Sequence, residues 1–386
     1  TIIEVGIQTN PFMSRPTFYI AITNHGFGHA VRAASVAAQI QQLCPDSLLI
    51  LVTTAPRWLL ETYIEGDFIL RPRAFDVGVI QPDSLTMDKA ATLEKLQEIH
   101  KNQNSIIAGE VNFIRQNRVD LVFADIPPLA ASIAKIAGIP CYMMSNFGWD
   151  FIYRDWGGEF IEIADWVGDC FSECNGLFRL PLHENMSAFP HITDVGLTGG
   201  NPRYDLDTLR EDFQINSAPE KTILLTFGGL SLAKIPYENL NKFPDFTFIT
   251  FDKNAPKLPN LISVQTQKNQ VKSLIDYTHI RPVDFMPICG RVVSKPGFST
   301  YSEAMRLNIP IVTLSRDGFA EAELLLTGLQ NYSYHQILTS AQFFESNWEF
   351  LQHPLSPPRL SDTLDKTGSE TIAQMLVNVV KSGLKN

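Results

Sequence analysis

Short apolar runs alternate with helix-like stretches along the first half of the chain. The predicted strands are 17–23 (TFYIAIT), 48–53 (LLILVT), 121–124 and 141–145, and the predicted helices are 30–43, 92–115 and 129–137. The strands are apolar nearly throughout instead of alternating with polar residues, which is typical of a parallel sheet covered by helices on both faces. We therefore expect a doubly wound α/β unit in this half.

The pattern stops at a segment rich in glycine and proline and then begins again. Residues 195–204 (VGLTGGNPRY) and the charged stretch that follows them are typical of a linker. Beyond it, the predicted strands are 222–227, 246–250, 292–294 and 309–314, and the predicted helices are 300–306 and 369–381. Two successive α/β units joined by a hinge are therefore expected.

Composition narrows the class of protein. A chain of 386 residues suits two domains, and a formal net charge of −10 disfavours binding to nucleic acid. Five cysteines, no signal-peptide pattern and no apolar run of about 20 residues favour a cytoplasmic protein without a transmembrane segment. Peripheral membrane contact and the oligomeric state stay open. The spacing of Cys170 and Cys174 would suit two ligands on one helix face, but no partner pair of cysteine or histidine has the spacing of a metal site, so no metal is expected.

The loop at 24–32 (NHGFGHAVR) joins the first predicted strand to the first predicted helix. Position 31 is valine, so the loop lacks the G-x-G-x-x-G pattern of dinucleotide sites. A helix N-terminus favours a neutral imidazole at His29, which could accept a proton from a hydroxyl group. Asp125 ends a strand at the same edge of the sheet and could orient His29. Alternatively, both residues simply cap helices.

A second strand-to-helix junction, 294–303 (SKPGFSTYSE), has the composition of a phosphate site. Lys295 could add a positive charge beside a diphosphate, and Glu303 could accept hydrogen bonds from ribose hydroxyls. The alternative is a helix start in which Ser299 is the cap and Glu303 is a solvated surface residue. The turn at Gly228, Gly229 and Ser231 is either a phosphate contact or a plain strand-to-helix turn.

Residues 146–156 (NFGWDFIYRDW) are unusually aromatic and follow a predicted strand. Their rings could form an acceptor wall at the edge of the cleft, or they could belong to the core. The predicted acceptor residues are His25, Phe147, Trp149 and Tyr153.

The junctions at 24–32 and 294–303 resemble those of the GT-B glycosyltransferases. Residues 25–29 (HGFGH) and Arg32 are most similar to the glycosyltransferase-like N-terminal domain of plant L-arabinokinases. In plant UDP-glycosyltransferases, a Gly-His at this position provides the catalytic base, and an Asp after a later strand pairs with it. The resemblance thus implies His29 as the base and Asp125 as its partner.

The same resemblance implies a donor site in the second half. Residues 297–303 are similar to the signature that holds the diphosphate and ribose, and Lys295 stands in place of the histidine of that signature. Residues 280–285 are similar to the loop whose backbone reads the nucleobase. Residues 316–323 resemble the stretch whose acidic residue holds the donor sugar. The implied donor-binding residues are Gly28, Gly228, Gly229, Ser231, Phe285, Lys295, Gly297, Ser299, Thr300, Glu303 and Glu321.

The resemblance implies two Rossmann-like domains facing across a cleft. The expected divisions are 1–198 for the acceptor domain, 199–365 for the nucleotide-sugar domain, and 366–386 for a helix that returns to the first domain. The expected function is metal-independent, inverting transfer from a UDP-sugar, the co-substrate, to a small-molecule or glycan acceptor. A non-catalytic nucleotide-sugar-binding protein and a sugar-nucleotide 2-epimerase using Asp317 and Glu321 are the alternatives.

Overall fold

The first half of the chain forms one parallel sheet. The computed structural model describes residues 15–82, 86–227, 235–316 and 318–383. Within them, this sheet has the strand order β3-β2-β1-β4-β5-β6-β7, and all neighbouring strands are parallel. Its strands are β1 (Thr17–Ile22), β2 (Leu48–Val52), β3 (Ile69–Arg71), β4 (Leu121–Asp125), β5 (Cys141–Ser145), β6 (Gly176–Arg179) and β7 (Ile192–Asp194).

Helices cover both faces of this sheet, as its apolar strands require. They are α1 (Gly28–Leu43), α2 (Arg57–Glu61), α3 (Lys89–Gln116), α4 (Leu129–Ala137), α5 (Trp149–Trp156) and α6 (Phe160–Ser172). Residues facing one side of β1, such as Phe18 and Ile20, pack in a core with α1, whereas Tyr19 and Ala21 pack in a second core. The central strand is therefore buried on both faces.

A second parallel sheet follows the linker and the short helix α7 (Leu206–Asp212). Its strand order is β10-β9-β8-β11-β12-β13. Its strands are β8 (Thr222–Leu225), β9 (Thr247–Thr250), β10 (Leu261–Ser263), β11 (Arg291–Ser294), β12 (Ile311–Leu314) and β13 (His335–Leu338). The helices after α7 are α8 (Val264–Gln267), α9 (Pro282–Phe285), α10 (Phe298–Arg306), α11 (Ala320–Tyr332), α12 (Ser340–Phe344) and α13 (Gly368–Gly383).

The predicted fold class is confirmed: two parallel sheets, each flanked by helices, follow one another along the chain. Five strands were not predicted, namely β3, β6, β7, β10 and β13. Each has only three or four residues, and β7 is exposed along its length, so no apolar run marks it. Each of these short strands pairs in parallel with a neighbouring strand, which supplies its hydrogen bonds.

The final helix, α13, returns to the first half of the chain, as expected. It packs along α1, where the hydroxyl oxygens of Ser35 and Ser369 lie 2.8 Å apart. The precise domain divisions stay predictions. Among the described residues, no helix combines the length and the apolarity that crossing a membrane requires.

Each sheet has a point where the strand order reverses, between β1 and β4 in the first and between β8 and β11 in the second. The chain leaves the sheet in opposite directions on the two sides of such a point, which opens a crevice at the carboxyl ends of the strands. The loops that follow β1, β4 and β11 carry the residues described next.

Candidate active site

His29 and Asp125 form a buried pair at the reversal point of the first sheet. Ile22, the last residue of β1, lies beside Asp125 in the sheet, and the loop after β1 brings His29 back over this edge. His29 Nδ1 lies 2.8 Å from Asp125 Oδ1. Arg32 Nη2 lies 3.1 Å from the same nitrogen, and the tautomer that suits a base is the one with its proton on Nδ1, donated to Asp125, and its lone pair on Nε2. Nε2 makes no hydrogen bond with any residue that the structure describes.

The alternative that these two residues cap helices is wrong. The N-cap of α1 is Phe27 and that of α4 is Pro128, and neither helix start has a side-chain cap. His29 is 7% exposed and Asp125 is fully buried, so the pair joins the loop after β1 to β4 inside the protein. A buried carboxylate requires such partners.

Arg32, whose role the sequence did not reveal, holds the other side of Asp125. Its Nε donates to Asp125 Oδ2 at 2.6 Å and its Nη2 to Oδ1 at 2.7 Å. Nη1 donates to Asn146 Oδ1 at 2.8 Å, and Nη2 is 2.9 Å from the Ser145 hydroxyl. Burial acts to raise the pKa of Asp125, but the charge of Arg32 and the hydrogen bonds from Arg32 and His29 outweigh it and lower that pKa below its ordinary value.

Asp76 is a second buried carboxylate near the pair, and the sequence analysis missed it. It accepts hydrogen bonds from the Thr23 hydroxyl and from the Asn24 backbone N–H. Burial raises its pKa to about 6, against these hydrogen bonds, which lower it. It lies in an irregular segment between β3 and α3, where no periodic pattern could have indicated it.

The four predicted acceptor residues form one cluster: the rings of His25, Phe147 and Trp149 neighbour that of His29, and Tyr153 stacks on Trp149. The His25 ring stacks on Phe319 from the second half, with ring centroids 5.9 Å apart. Burial and the neighbouring His29 and Arg316 lower the pKa of His25 well below its ordinary value. Phe147, Trp149 and Tyr153 are at most 1% exposed. Their rings support His25 and His29 from within the core, so direct contact with an acceptor stays a prediction for them.

Glu303 of the predicted donor site is buried between the two halves. Its Oε1 accepts a hydrogen bond from the Tyr63 hydroxyl at 2.8 Å and another from the Gly200 backbone N–H at 2.9 Å. Burial raises the pKa of Glu303 in spite of these bonds. The alternative of a solvated surface residue is therefore wrong, because Glu303 is 4% exposed and its carboxylate lies against the linker and Tyr63.

The start of α10 faces the loop after β1. The Ser299 hydroxyl donates to the backbone oxygen of Gly28 at 2.7 Å, which brings the two predicted motifs into contact. The N-cap of α10 is Gly297, and no side chain caps this helix, so the alternative of Ser299 as the cap is wrong. Thr300 is half-buried in the same first turn.

Positive charge gathers next to this helix start. Burial and the nearby Arg316 lower the pKa of Lys295 to about 8, while the charge of Glu321 acts in the opposite direction. Glu321 accepts a hydrogen bond from Asn146 Nδ2 at 3.1 Å, and Asn146 also accepts from Arg32. A chain of polar contacts thus runs from His29 through Asp125, Arg32 and Asn146 to the second half of the protein.

For the remaining predicted donor residues, the structure shows no side chain at the start of α10. The ring of Phe285 packs in the core against Phe213 and Phe251. Contact with the nucleobase of the donor at this position would therefore come from the backbone. Gly228, Gly229, Ser231 and Asp317 lie outside the described residues.

Sequence comparison supports the resemblance to arabinokinases. No protein-family model matches the chain. L-arabinokinase of Arabidopsis thaliana is 29% identical over 322 residues, which make up 82% of this chain and 30% of that protein. The chain therefore spans about 30% of the length of this curated relative.

Solved structures with the same architecture are glycosyltransferases. Arabidopsis thaliana UGT89C1, complexed with UDP, has a TM-score of 0.57 and 10% identity, covering 97% of this chain and 96% of that chain. UDP-glucose: anthocyanidin 3-O-glucosyltransferase, in complex with UDP, has a TM-score of 0.56 and 11% identity, with coverages of 96% and 99%. The glycotransferase of kitacinnamycin has a TM-score of 0.54 and 13% identity, with 96% of both chains covered. The chain has the GT-B fold.

Proposed function

We propose that this protein is a glycosyltransferase that moves a sugar from a UDP-sugar to a hydroxyl group of an acceptor. The observation that supports it most directly is the His29–Asp125 pair at a reversal point of the sheet, in which Nε2 of His29 makes no hydrogen bond to any described residue. The solved glycosyltransferases of the same fold that are complexed with UDP or UDP-glucose support a UDP-sugar as the donor.

His29 is the proposed base. Its Nε2 takes the proton of the acceptor hydroxyl while that oxygen attacks the anomeric carbon of the donor sugar. Asp125 accepts the Nδ1 proton of His29, which fixes the tautomer and stabilises the imidazolium that forms. The bidentate contact with Arg32 keeps Asp125 ionised throughout. Attack by the acceptor itself, without a covalent enzyme intermediate, inverts the anomeric configuration.

Positive groups at the start of α10 are the proposed stabilisers of the departing diphosphate, in place of a metal ion. The first turn of this helix presents the backbone N–H groups of Phe298 and Ser299, and Lys295 lies just before them. With a pKa of about 8, Lys295 carries a proton at neutral pH and can compensate the developing negative charge.

Product analysis tests this proposal. Purified protein is incubated with UDP-glucose and other nucleotide sugars and with an acceptor panel that includes L-arabinose, after the name of the curated relative. Mass spectrometry detects the product, and NMR determines its anomeric configuration. The proposal expects transfer with inversion, and a product that retains the donor's configuration would contradict the direct attack.

Variants of two histidines give the matched comparison. His29→Ala should lower kcat at least ~100-fold, since general-base catalysis contributes about 10²–10⁴-fold. UDP affinity, measured by calorimetry, should stay within about twofold because His29 is not part of the proposed diphosphate site. His191→Ala removes an exposed imidazole and should behave as wild type. Near-wild-type turnover by His29→Ala would contradict the proposed base.

The second candidate is a nucleotide-sugar-binding protein that does not transfer. It differs from a transferase by binding without turnover, and one observation bears on that binding: ribose hydroxyls would compete for Oε1 of Glu303, which already accepts hydrogen bonds from Tyr63 and Gly200. In that case UDP-sugars should raise the thermal stability of the wild type while no product or hydrolysis is detected. Tyr63→Phe, which frees one position on the carboxylate, should then raise UDP affinity.

A further inference from the structure

Asp76 is a buried carboxylate that no described residue pairs with a positive charge at ion-pair distance. It is 5% exposed and accepts two hydrogen bonds, one from the Thr23 hydroxyl and one from the Asn24 backbone N–H at 2.9 Å. Asp125, by contrast, is paired with Arg32. Two uncharged donors offset only part of the cost of burying a charge. Groups that are buried at such a cost concentrate at functional sites, so Asp76 calls for a functional explanation.

The segment that carries Asp76 lies tightly against the loop after β1. Gly78 has a φ of +56°, and a Cβ added there would lie 2.6 Å from the Cβ of His25, so this position requires glycine. The Tyr153 hydroxyl donates to the Gly78 backbone oxygen at 2.7 Å, and the Val79 backbone nitrogen lies 3.3 Å from Nδ1 of His25. The position of Asp76 relative to this loop is therefore fixed from several sides.

Thr23 connects Asp76 to the surroundings of His29. Its hydroxyl, which donates to Asp76, also accepts a hydrogen bond from Trp149 Nε1 at 2.9 Å, and the Trp149 ring centroid is 6.0 Å from that of His29. Its backbone N–H donates to the backbone oxygen of Asp125 at 3.1 Å. Burial raises the pKa of Asp76 to about 6, whereas the positive charge that His29 carries when protonated acts to lower it. The two groups therefore lie close enough to interact.

The other neighbours of Asp76 on α3 are apolar, since Leu96 and Ile99 line the same small cavity as its side chain. The titratable groups that interact within the cluster around Asp76 and His29 are His25, Arg32, Asp125 and Tyr153, with Lys295 and Arg316 from the second half. Asp76 and Asp125 are the carboxylates in this set.

The charge balance shows what Asp76 adds. Arg32 and Asp125 carry opposite charges that cancel. With His29 neutral and Asp76 ionised, these four residues carry one net negative charge, and protonation of His29 brings the sum to zero. Without Asp76, the same protonation would leave one net positive charge inside the protein, which is unfavourable in surroundings of low dielectric constant.

We propose that Asp76 is a positioning residue of the active site, whose carboxylate holds the loop after β1 and supplies the counter-charge for the imidazolium that His29 forms. This assignment rests on the proposed transferase function, which it deepens by adding a second carboxylate to the His29–Asp125 pair. The proton of the acceptor hydroxyl moves to Nε2 of His29 and goes no further in this step. Asp76 stays ionised and acts through its charge.

NMR titration of the His29 imidazole tests the counter-charge without requiring turnover. The full chain is labelled at its histidines, and the signals lost in His29→Gln identify His29. In Asp76→Asn the titration midpoint of His29 should lie roughly 0.5–1 pH unit below that of the wild type, because the imidazolium loses an attractive charge. Asp76→Glu keeps this charge and should restore the midpoint. Glu94→Gln, which removes an exposed negative charge from α3, is the matched control and should titrate as wild type.

The pH profile of transfer gives a second readout. Asp76→Asn should lower the plateau value of kcat about 3–10-fold and move the acid limb to lower pH, because a weaker base takes up the acceptor proton less readily. The KM for the UDP-sugar should stay within about twofold, since Asp76 lies outside the proposed diphosphate site. A role in folding alone would lower kcat without moving the acid limb, and that result would overturn the proposal.

The outcomes separate this proposal from the proposed function. A lower midpoint of His29 in Asp76→Asn supports the counter-charge, even if no UDP-sugar is turned over and the transferase proposal fails. Transfer by the wild type, with equal midpoints in wild type and Asp76→Asn, overturns the counter-charge and leaves the transferase proposal intact. If Asp76→Asn does not fold, the wild type decides: interacting charges broaden the titration of His29, whereas the curve of a single isolated group would overturn the proposal.

Discussion

Replacing Arg32 with methionine would remove the positive partner of Asp125 and keep much of the apolar bulk of the side chain. In the native protein Arg32 is 2% exposed and Asp125 is fully buried. The guanidinium makes two hydrogen bonds to this carboxylate, of 2.6 and 2.7 Å. Methionine cannot replace them, so among the described residues His29 would be the side chain still bonded to the Asp125 carboxylate.

The expected loss of stability follows from this burial. Removing one partner of a buried ion pair costs about 3–5 kcal/mol, because the other charge stays buried without compensation. For a domain of roughly 150–250 residues, each kcal/mol lowers the thermal midpoint by ~2–4 °C, so Arg32→Met should lower it by about 6–20 °C. Arg57→Met is the control, because Arg57 is 49% exposed in its ion pair with Glu61. Exposed pairs contribute only about 0–1 kcal/mol.

The stability difference between the wild type and Arg32→Met should change with pH in a defined direction. The folded-state pKa of Asp125 lies below its ordinary value, so its ionisation stabilises the wild type above that value, and this contribution is lost as the pH falls. Without Arg32, burial dominates and the pKa of Asp125 rises, so the variant gains stability on acidification. The gap between the two proteins should therefore be larger near pH ~7 than near pH ~4.5.

Urea denaturation and thermal scans of wild type, Arg32→Met, Asp125→Asn and the double variant measure these quantities. The double variant should be at least ~1 kcal/mol more stable than the sum of the single effects implies, because it leaves no unpaired buried charge. If Arg32→Met costs no more than Arg57→Met, or if the two effects simply add, the described buried pair does not stabilise the protein in this way.

Three further predictions concern neighbouring groups. The folded-state pKa of Asp76, about 6, exceeds the ordinary value of 3.8. The wild type should therefore lose stability relative to Asp76→Asn as the pH rises between these values. Thermal midpoints of the two proteins that change in parallel across this pH range would contradict the prediction. Lys295→Met should weaken UDP binding about tenfold in calorimetry. The UDP affinity of the wild type should also fall as Lys295 deprotonates near its pKa of about 8. Equal UDP affinities of wild type and Lys295→Met would show that Lys295 does not bind the diphosphate. Trp149→Ala should cost about 3–5 kcal/mol in urea denaturation, as expected for a ring in the core; a cost under ~1 kcal/mol would instead favour an open acceptor wall.

Much of the architecture was predictable because its signals are local. Apolar runs such as 48–53 indicate buried parallel strands wherever they occur, and α4 and β5 were predicted with the bounds that the structure has. The pairing of His29 with Asp125 was also predictable, since the carboxyl ends of parallel strands meet at one edge of a sheet. The short strand β7 was not, because its residues are exposed and its register depends on β6.

By itself, the sequence determined the order of the elements, the two-sheet fold class and the glycine-rich helix starts, since each depends on residues close together in the chain. Only the tertiary structure decided that Arg32 binds a carboxylate 93 residues away, that the Glu303 carboxylate is bonded to Tyr63, and that Phe147, Trp149 and Tyr153 are buried. Local spacing specifies which face of an element is buried. It does not specify which distant segment will cover that face, because this depends on how the assembled layers pack.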